Sequence, residues 1–192
     1  MNQLATQQNY YTKEEYLLLE ESAEYKSEYY DGEIFAMAGG TRNHSAICLN
    51  VNWSIREAIS NKDCVGFDSN MKLDVPTHNI VVYPDAMVAC SKIEFLDDRE
   101  TILQNPLLVI EVLSPSTEHI DRIKKFIYYQ SVPSIQEYVM ISQSEPKIEA
   151  YCKQSERNWL YTVIKGLEEA IYIKTLEYKF ELKEIYQKVR WR

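Results

Sequence analysis

The stretch that decides the fold is Leu107-Leu108-Val109-Ile110-Glu111-Val112-Leu113, in which six of seven residues are aliphatic. An unbroken apolar run of this length, without polar alternation, predicts a central strand covered on both faces. Glu111 interrupts it. A carboxylate buried there must be paired, protonated or bound to a metal, because an isolated buried charge is strongly disfavoured. The run alone leaves a buried ion pair open beside a metal site.

Upstream, Pro84-Asp85 precedes a second apolar segment, Ala86-Met87-Val88-Ala89-Cys90. Asp85 stands at the start of that strand, where a side chain can face a cleft. Alone, Pro-Asp also reads as an ordinary turn. Beside a buried Glu on the next strand it gains meaning, since two carboxylates supply the hard oxygen donors that suit Mg²⁺ or Mn²⁺. Ile80 to Tyr83 reads as a further strand. Met71, Leu73 and Val75 alternate with Lys72 and Asp74, the period of a half-exposed strand.

Downstream, Ser114-Pro115-Ser116-Thr117 breaks the central strand, and a helix is expected from about Glu118 to Gln130. Ile120, Ile123 and Ile127 mark its predicted buried side. Asp121, Lys125 and Tyr129 recur one turn apart, while Lys124 falls nearer the isoleucines. A lysine would complete a two-carboxylate site. Periodicity does not choose between Lys124 and Lys125, and both also read as solvated helix lysines.

Toward the N-terminus, Thr12-Lys13-Glu14-Glu15 is a capping box opening a helix to about Glu21. Asp31-Gly32, between Glu28-Tyr29-Tyr30 and Glu33-Ile34-Phe35, is a hairpin signal. After Gly39-Gly40, Thr41 or Asn43 can cap a helix reaching about Ser60, with Ile47, Val51, Ile55 and Ile59 as one buried stripe. His44 lies a turn before Ile47 and points inward. Glu33 and His44 form a second candidate pair, although Glu33 also reads as an exposed strand residue and His44 as a core histidine. Glu28 is a further candidate on the facing hairpin strand. The C-terminal third reads as a strand at Glu137 to Ile141, then strands and turns, and a short helical tail near Leu182 to Val189. Together these predict an α/β (α+β) fold: a mixed central sheet flanked by helices, an N-terminal helix and hairpin, and a β-rich C-terminal part, in one domain over 1–192.

Composition bounds the function. A hydrophobic fraction of 45% and a charged fraction of 26% are those of an ordinary globular protein. No apolar run approaches the roughly 20 residues of a membrane span, and residues 1–9 lack signal-peptide features, so a cytoplasmic protein with no membrane partner is expected. Cys48, Cys64, Cys90 and Cys152 are scattered, and isolated thiols in a reducing compartment are expected. The net charge of -8 argues against a dedicated duplex binder, which usually carries a basic excess. Tyr is abundant, at 15 residues, which suits contact surfaces.

Several segments together resemble the Uma-type restriction-endonuclease family, a bacterial family of unknown function in the PD-(D/E)XK nuclease superfamily. They are Glu14 to Leu17, Glu28 to Ile34, Met37 to Thr41 with His44, and Tyr83-Pro84-Asp85. Further on they are Glu111 to Thr117, Asp121-Arg122 with Lys125-Phe126, and Pro133 to Tyr138. The resemblance implies a restriction-endonuclease-like core. It makes Asp85 the motif aspartate and Glu111 the glutamate of the E-x-K motif, both metal ligands and catalytic. The lysine of that motif is absent, since Leu113 stands in its place, and the resemblance moves the role to Lys125. It places Glu33, His44 and Asp121 near the site. Ile123 departs from the pattern, where a small residue is expected. The implied activity is Mg²⁺- or Mn²⁺-dependent hydrolysis of DNA, with a homodimer as the expected assembly. The alternatives are a non-catalytic binding or assembly module on the same fold, and a metal-dependent hydrolase of a small phosphoester.

Overall fold

In the computed structural model, residues 10–114 and 121–191 are described. Helix α1 (Lys13–Ser22) opens on the predicted capping box, with the Thr12 hydroxyl accepting from Glu15 N and the Glu15 carboxylate accepting from Thr12 N. Strands β1 (Ser27–Tyr30) and β2 (Glu33–Ala36) form the hairpin. Asp31 and Gly32 both hold positive φ, 44° and 103°, as a two-residue hairpin turn requires. Helix α2 (Arg42–Ile59) is capped by Thr41 and buries Ile47, Val51 and Ile55.

The strands that follow are β3 (Cys64–Asp68), β4 (Lys72–Val75), β5 (Ile80–Val82), β6 (Ala86–Cys90), β7 (Ile102–Leu103) and β8 (Leu108–Leu113). A π-helical segment, Asp121–Lys125, leads into α3 (Phe126–Gln130). Then come β9 (Glu137–Ser142), β10 (Lys147–Ser155), β11 (Asn158–Lys165), β12 (Ala170–Ile173), β13 (Tyr178–Glu181) and α4 (Leu182–Ile185).

The main sheet has the order β11-β10-β9-β8-β6-β3, so the decisive run lies inside it, between β6 and β9. β8 pairs parallel with β9 and antiparallel with β6, and all six of its residues are buried. On one face, Ile110 and Val112 pack with Ile47, Val51 and Ile55 of α2 and with Phe180 and Leu182. On the other, Val109 and Leu113 meet Tyr129 of α3 and Leu73 and Val82 of a second sheet, ordered β2-β1-β5-β4-β7. Each such buried aliphatic side chain contributes about 1.5–3 kcal/mol over its exposed state. The result is the mixed α+β architecture expected, with mixed sheets flanked by helices.

Four local expectations are corrected. Ile123 and Ile127 do not mark the buried side after β8, being 52% and 44% exposed, while Lys125 and Tyr129 are buried; Ile120 lies outside the described residues. A π turn holds an extra residue per turn, so it shifts the phase of a stripe counted at 3.6 residues. β4 is not half-exposed, because Asp74 is buried and bonded to Lys13 Nζ at 2.6 Å. Strands β3, β7 and β13 were not anticipated. Finally, Cys64 and Cys90 are not isolated thiols; they face each other across β3 and β6 and form a disulfide. Among the described residues, no helix is long and apolar enough to cross a membrane.

Candidate active site

The antiparallel register of β6 and β8 pairs Ala86 with Ile110. Asp85 immediately precedes Ala86 and Glu111 immediately follows Ile110, so the chain brings both carboxylates to the same end of β6 and β8. Both line a cleft of about 840 Å³, walled by the β1–β2 hairpin, the approach to α2 and the segment around Lys125.

Glu111 is 4% exposed. Its Oε1 accepts from Lys125 Nζ at 2.9 Å and from the Tyr129 hydroxyl at 2.6 Å. Lys125 is buried too, and its ammonium lies 3.8 Å from Glu28 Oε1. Burial, reinforced by the Glu111 charge, pushes the Tyr129 hydroxyl well above its ordinary range, so it serves as a donor. Glu28 is itself held in place, accepting from Tyr83 N at 3.2 Å and from the Tyr30 hydroxyl at 2.8 Å.

Asp85 has a different setting. Its Oδ2 accepts from Val112 N at 2.8 Å, which ties it to β8, and lies 3.4 Å from His44 Nε2. Its Oδ1 accepts from the Cys48 thiol at 3.6 Å. His44 reaches inward from the first turn of α2, and Cys48 stands one turn further on the same face. Burial, followed by the charge of Asp85, pushes the Cys48 thiol up.

The cleft thus receives Asp85, Glu111, Lys125, His44 and Glu33. Glu33 begins β2 at the rim, half-buried. The side chain of Asp121 lies outside the described residues, as does the segment 115–120. Of the two lysines left open, Lys125 bonds Glu111, whereas Lys124 is exposed at the rim. Ile123 points into solvent and does not line the cleft.

Among the described residues, the acidic lining residues are Glu28, Asp31, Glu33, Asp85 and Glu111, against two lysines, Lys124 and Lys125. A surplus of carboxylates in a partly buried cleft favours a bound cation, and oxygen donors on neighbouring strands favour a hard divalent one.

A family model described as "Uma2: Putative restriction endonuclease" matches residues 13–183. The chain belongs to the Uma2 family. Two uncharacterized Synechocystis proteins are similar across most of their length. One, sll1609, is 36% identical over 81% of this chain and 88% of its own; the other, slr1290, is 34% identical over 91% and 90%. The fold of this Uma2 chain is shared with a crystal structure described as a putative nuclease belonging to DUF820 from Anabaena variabilis. That match has a TM-score of 0.77 and 20% identity, over 94% of this chain and 99% of the other.

Sequence reasoning missed Cys48 as a neighbour of Asp85. The signal was available, because Cys48 is four residues after His44 on a helix whose His faces inward. It also missed Tyr30, whose hydroxyl fixes Glu28. No local pattern announces that contact.

Proposed function

We propose that the cleft hydrolyses DNA phosphodiester bonds, with Asp85 and Glu111 holding Mg²⁺ or Mn²⁺. The observation that carries this reading is the presence of two carboxylates, at the same end of the neighbouring strands β6 and β8, beside a buried lysine in a cleft with surplus negative charge. Membership of the Uma2 family supports it. When bound, such an ion supplies Lewis-acid stabilisation of phosphate charge and acidifies an attacking water.

The chain's own residues do the rest. Val112 N and His44 aim the Asp85 carboxylate. Tyr129 and Lys125 hold Glu111 in one orientation. Lys125 is a fixed cation within reach of the same cleft; it orients the attacking water or offsets charge developing on the phosphate. Glu28 keeps the ammonium from collapsing wholly onto Glu111. The exposed strand β11, with Leu160, Tyr161 and Val163 partly open to solvent, is where a homodimer would form.

The test is cleavage of single- and double-stranded DNA with Mg²⁺ or Mn²⁺. The reading expects cleavage that Asp85→Ala and Glu111→Ala abolish. It fails if no DNA is cut, or if both variants cut as well as the parent chain. The acidic charge of -8 favours a second reading, a non-catalytic module on the same fold. In that case DNA is neither cut nor required, and divalent ions leave the melting temperature unchanged.

A further inference from the structure

His44, Cys48 and Asp85 each present one ligand atom, and these atoms all lie within 4.8 Å of one another. The separations are informative. His44 Nδ1 is 3.5 Å from Cys48 Sγ, Cys48 Sγ is 3.6 Å from Asp85 Oδ1, and His44 Nε2 is 3.4 Å from Asp85 Oδ2. Tetrahedral zinc, with bonds of about 2.0–2.1 Å to N, about 2.3 Å to S and about 2.0–2.2 Å to O, separates its donors by about 3.3–3.6 Å. The three measured separations use both ring nitrogens and both carboxylate oxygens; with one donor atom from each residue the three lie within 4.8 Å of one another, so a small side-chain rotation brings them to that spacing.

Two further features point the same way. His44 and Cys48 are one turn apart on α2, so the helix itself fixes their mutual geometry. A Cβ on Gly40 would lie 2.9 Å from His44 Nδ1, so the absence of a side chain there leaves the imidazole its place. The trio is also accessible: His44 and Asp85 open on the main cleft, while Cys48 and Asp85 open on a second hollow beside Gly66 and Asn70.

We infer that His44, Cys48 and Asp85 form a second metal position, one that takes a borderline transition ion of the Zn²⁺ class and excludes Mg²⁺. The mixed N, S, O donor set carries the selectivity, since thiolate and imidazole favour Zn²⁺ while Mg²⁺ requires oxygen. Cys48 enters as thiolate and its proton passes to solvent. Three protein ligands leave the fourth coordination position open toward the cleft. Asp85 belongs to both positions, so a Zn²⁺-class ion here competes with, or tunes, the hard cation proposed beside Glu111.

Co²⁺ titrated into the reduced, metal-free full chain tests this. The expected result is one ion per chain, with visible ligand-field bands and a near-ultraviolet thiolate-to-cobalt charge-transfer band, all displaced by Zn²⁺. Cys48→Ser loses the charge-transfer band and His44→Ala weakens binding at least about 10-fold. Cys152→Ser and the Cys64→Ser/Cys90→Ser pair keep both. In the parent chain, Zn²⁺ protects Cys48 but not Cys152 from alkylation, so the test survives a Cys48 variant that fails to fold. Glu111→Gln keeps the cobalt spectrum while abolishing Mg²⁺-dependent cleavage, which separates this site from the proposed nuclease site. No thiolate band, a band that survives Cys48→Ser, or Cys48 alkylated equally with and without Zn²⁺ overturns the inference.

Discussion

Glu111 and Glu149 are both 4% exposed, both sit on strands of the main sheet, and both bond cations and a tyrosine hydroxyl. Glu149 meets Arg122, Lys147 at 3.3 Å, and Tyr161. Arg122 compensates it, Lys147 is shared with the more exposed Glu145 at 3.0 Å, and Glu149 does not line the cleft. Glu111 shares Lys125 with Glu28 and lines the same cleft as Asp85. Glu137 and Asp74 resemble Glu149. Glu137 accepts from Lys174 N, Thr175 N and the Thr175 hydroxyl, and Asp74 is bonded to Lys13. Burial of a carboxylate therefore does not mark function. What separates Glu111 is that its surroundings leave a charge surplus where a ligand can enter.

The comparison breaks most sharply at activity. Glu111→Gln is expected to lower DNA cleavage by roughly 10²–10³-fold, the usual loss of one preorganised electrostatic group. Glu149→Gln should leave cleavage within a few-fold, measured in the same assay. Equal losses would make Glu111 a structural residue like the other. Next in size is the lysine pair. Lys125→Met is expected to cost about 10–100-fold in rate, and Lys124→Met less than about twofold; the reverse order would reassign the site lysine.

On stability the two glutamates should change places. Glu149→Ala removes the carboxylate that Arg122 and Lys147 both meet, and denaturant unfolding should show a loss of about 1–3 kcal/mol, at the lower end because Arg122 is partly exposed. Burial raises the Glu149 pKa, but Arg122, Tyr161 and Lys147 outweigh it and hold the carboxyl below its ordinary value. Its stabilisation is thus present above the unfolded value of about 4.3 and is lost as pH falls through the lower folded one. The melting temperature of the parent chain should fall more steeply over that acid range than that of Glu149→Gln; parallel curves would contradict it. Smallest is Thr12→Ala, which removes the α1 cap and should cost about 1 kcal/mol by the same unfolding measurement, without touching the cleft.

Much of this was legible because the signals were local. The apolar run around Glu111, the Asp31-Gly32 turn and the Thr12 capping box each act through neighbours in sequence. Asp85 and Glu111 could be read together because Glu111 lies inside one apolar run and Asp85 immediately precedes another. The rest depended on partners distant in the chain. Glu149, Glu137 and Asp74 look like surface residues until Arg122, the Lys174–Leu176 turn and Lys13 arrive from elsewhere. The Cys64–Cys90 disulfide spans 26 residues and depends on the β3–β6 register. β3 itself is a short edge strand broken by Gly66, with neither alternation nor a continuous apolar run. The burial of Lys125 in place of Ile123 followed from a π turn that no helical periodicity announces.

The central claim is that Glu111 serves a cation in the cleft while Glu149 serves the fold. Thermal unfolding with and without Mg²⁺ tests it most directly. At about 100 times the dissociation constant, an ion bound only by the folded chain adds about 2.7 kcal/mol. The account predicts that gain for the parent chain and for Glu149→Gln, and its loss in Asp85→Asn and Glu111→Gln. An unchanged gain in the last two variants, or none in the parent chain, would contradict it.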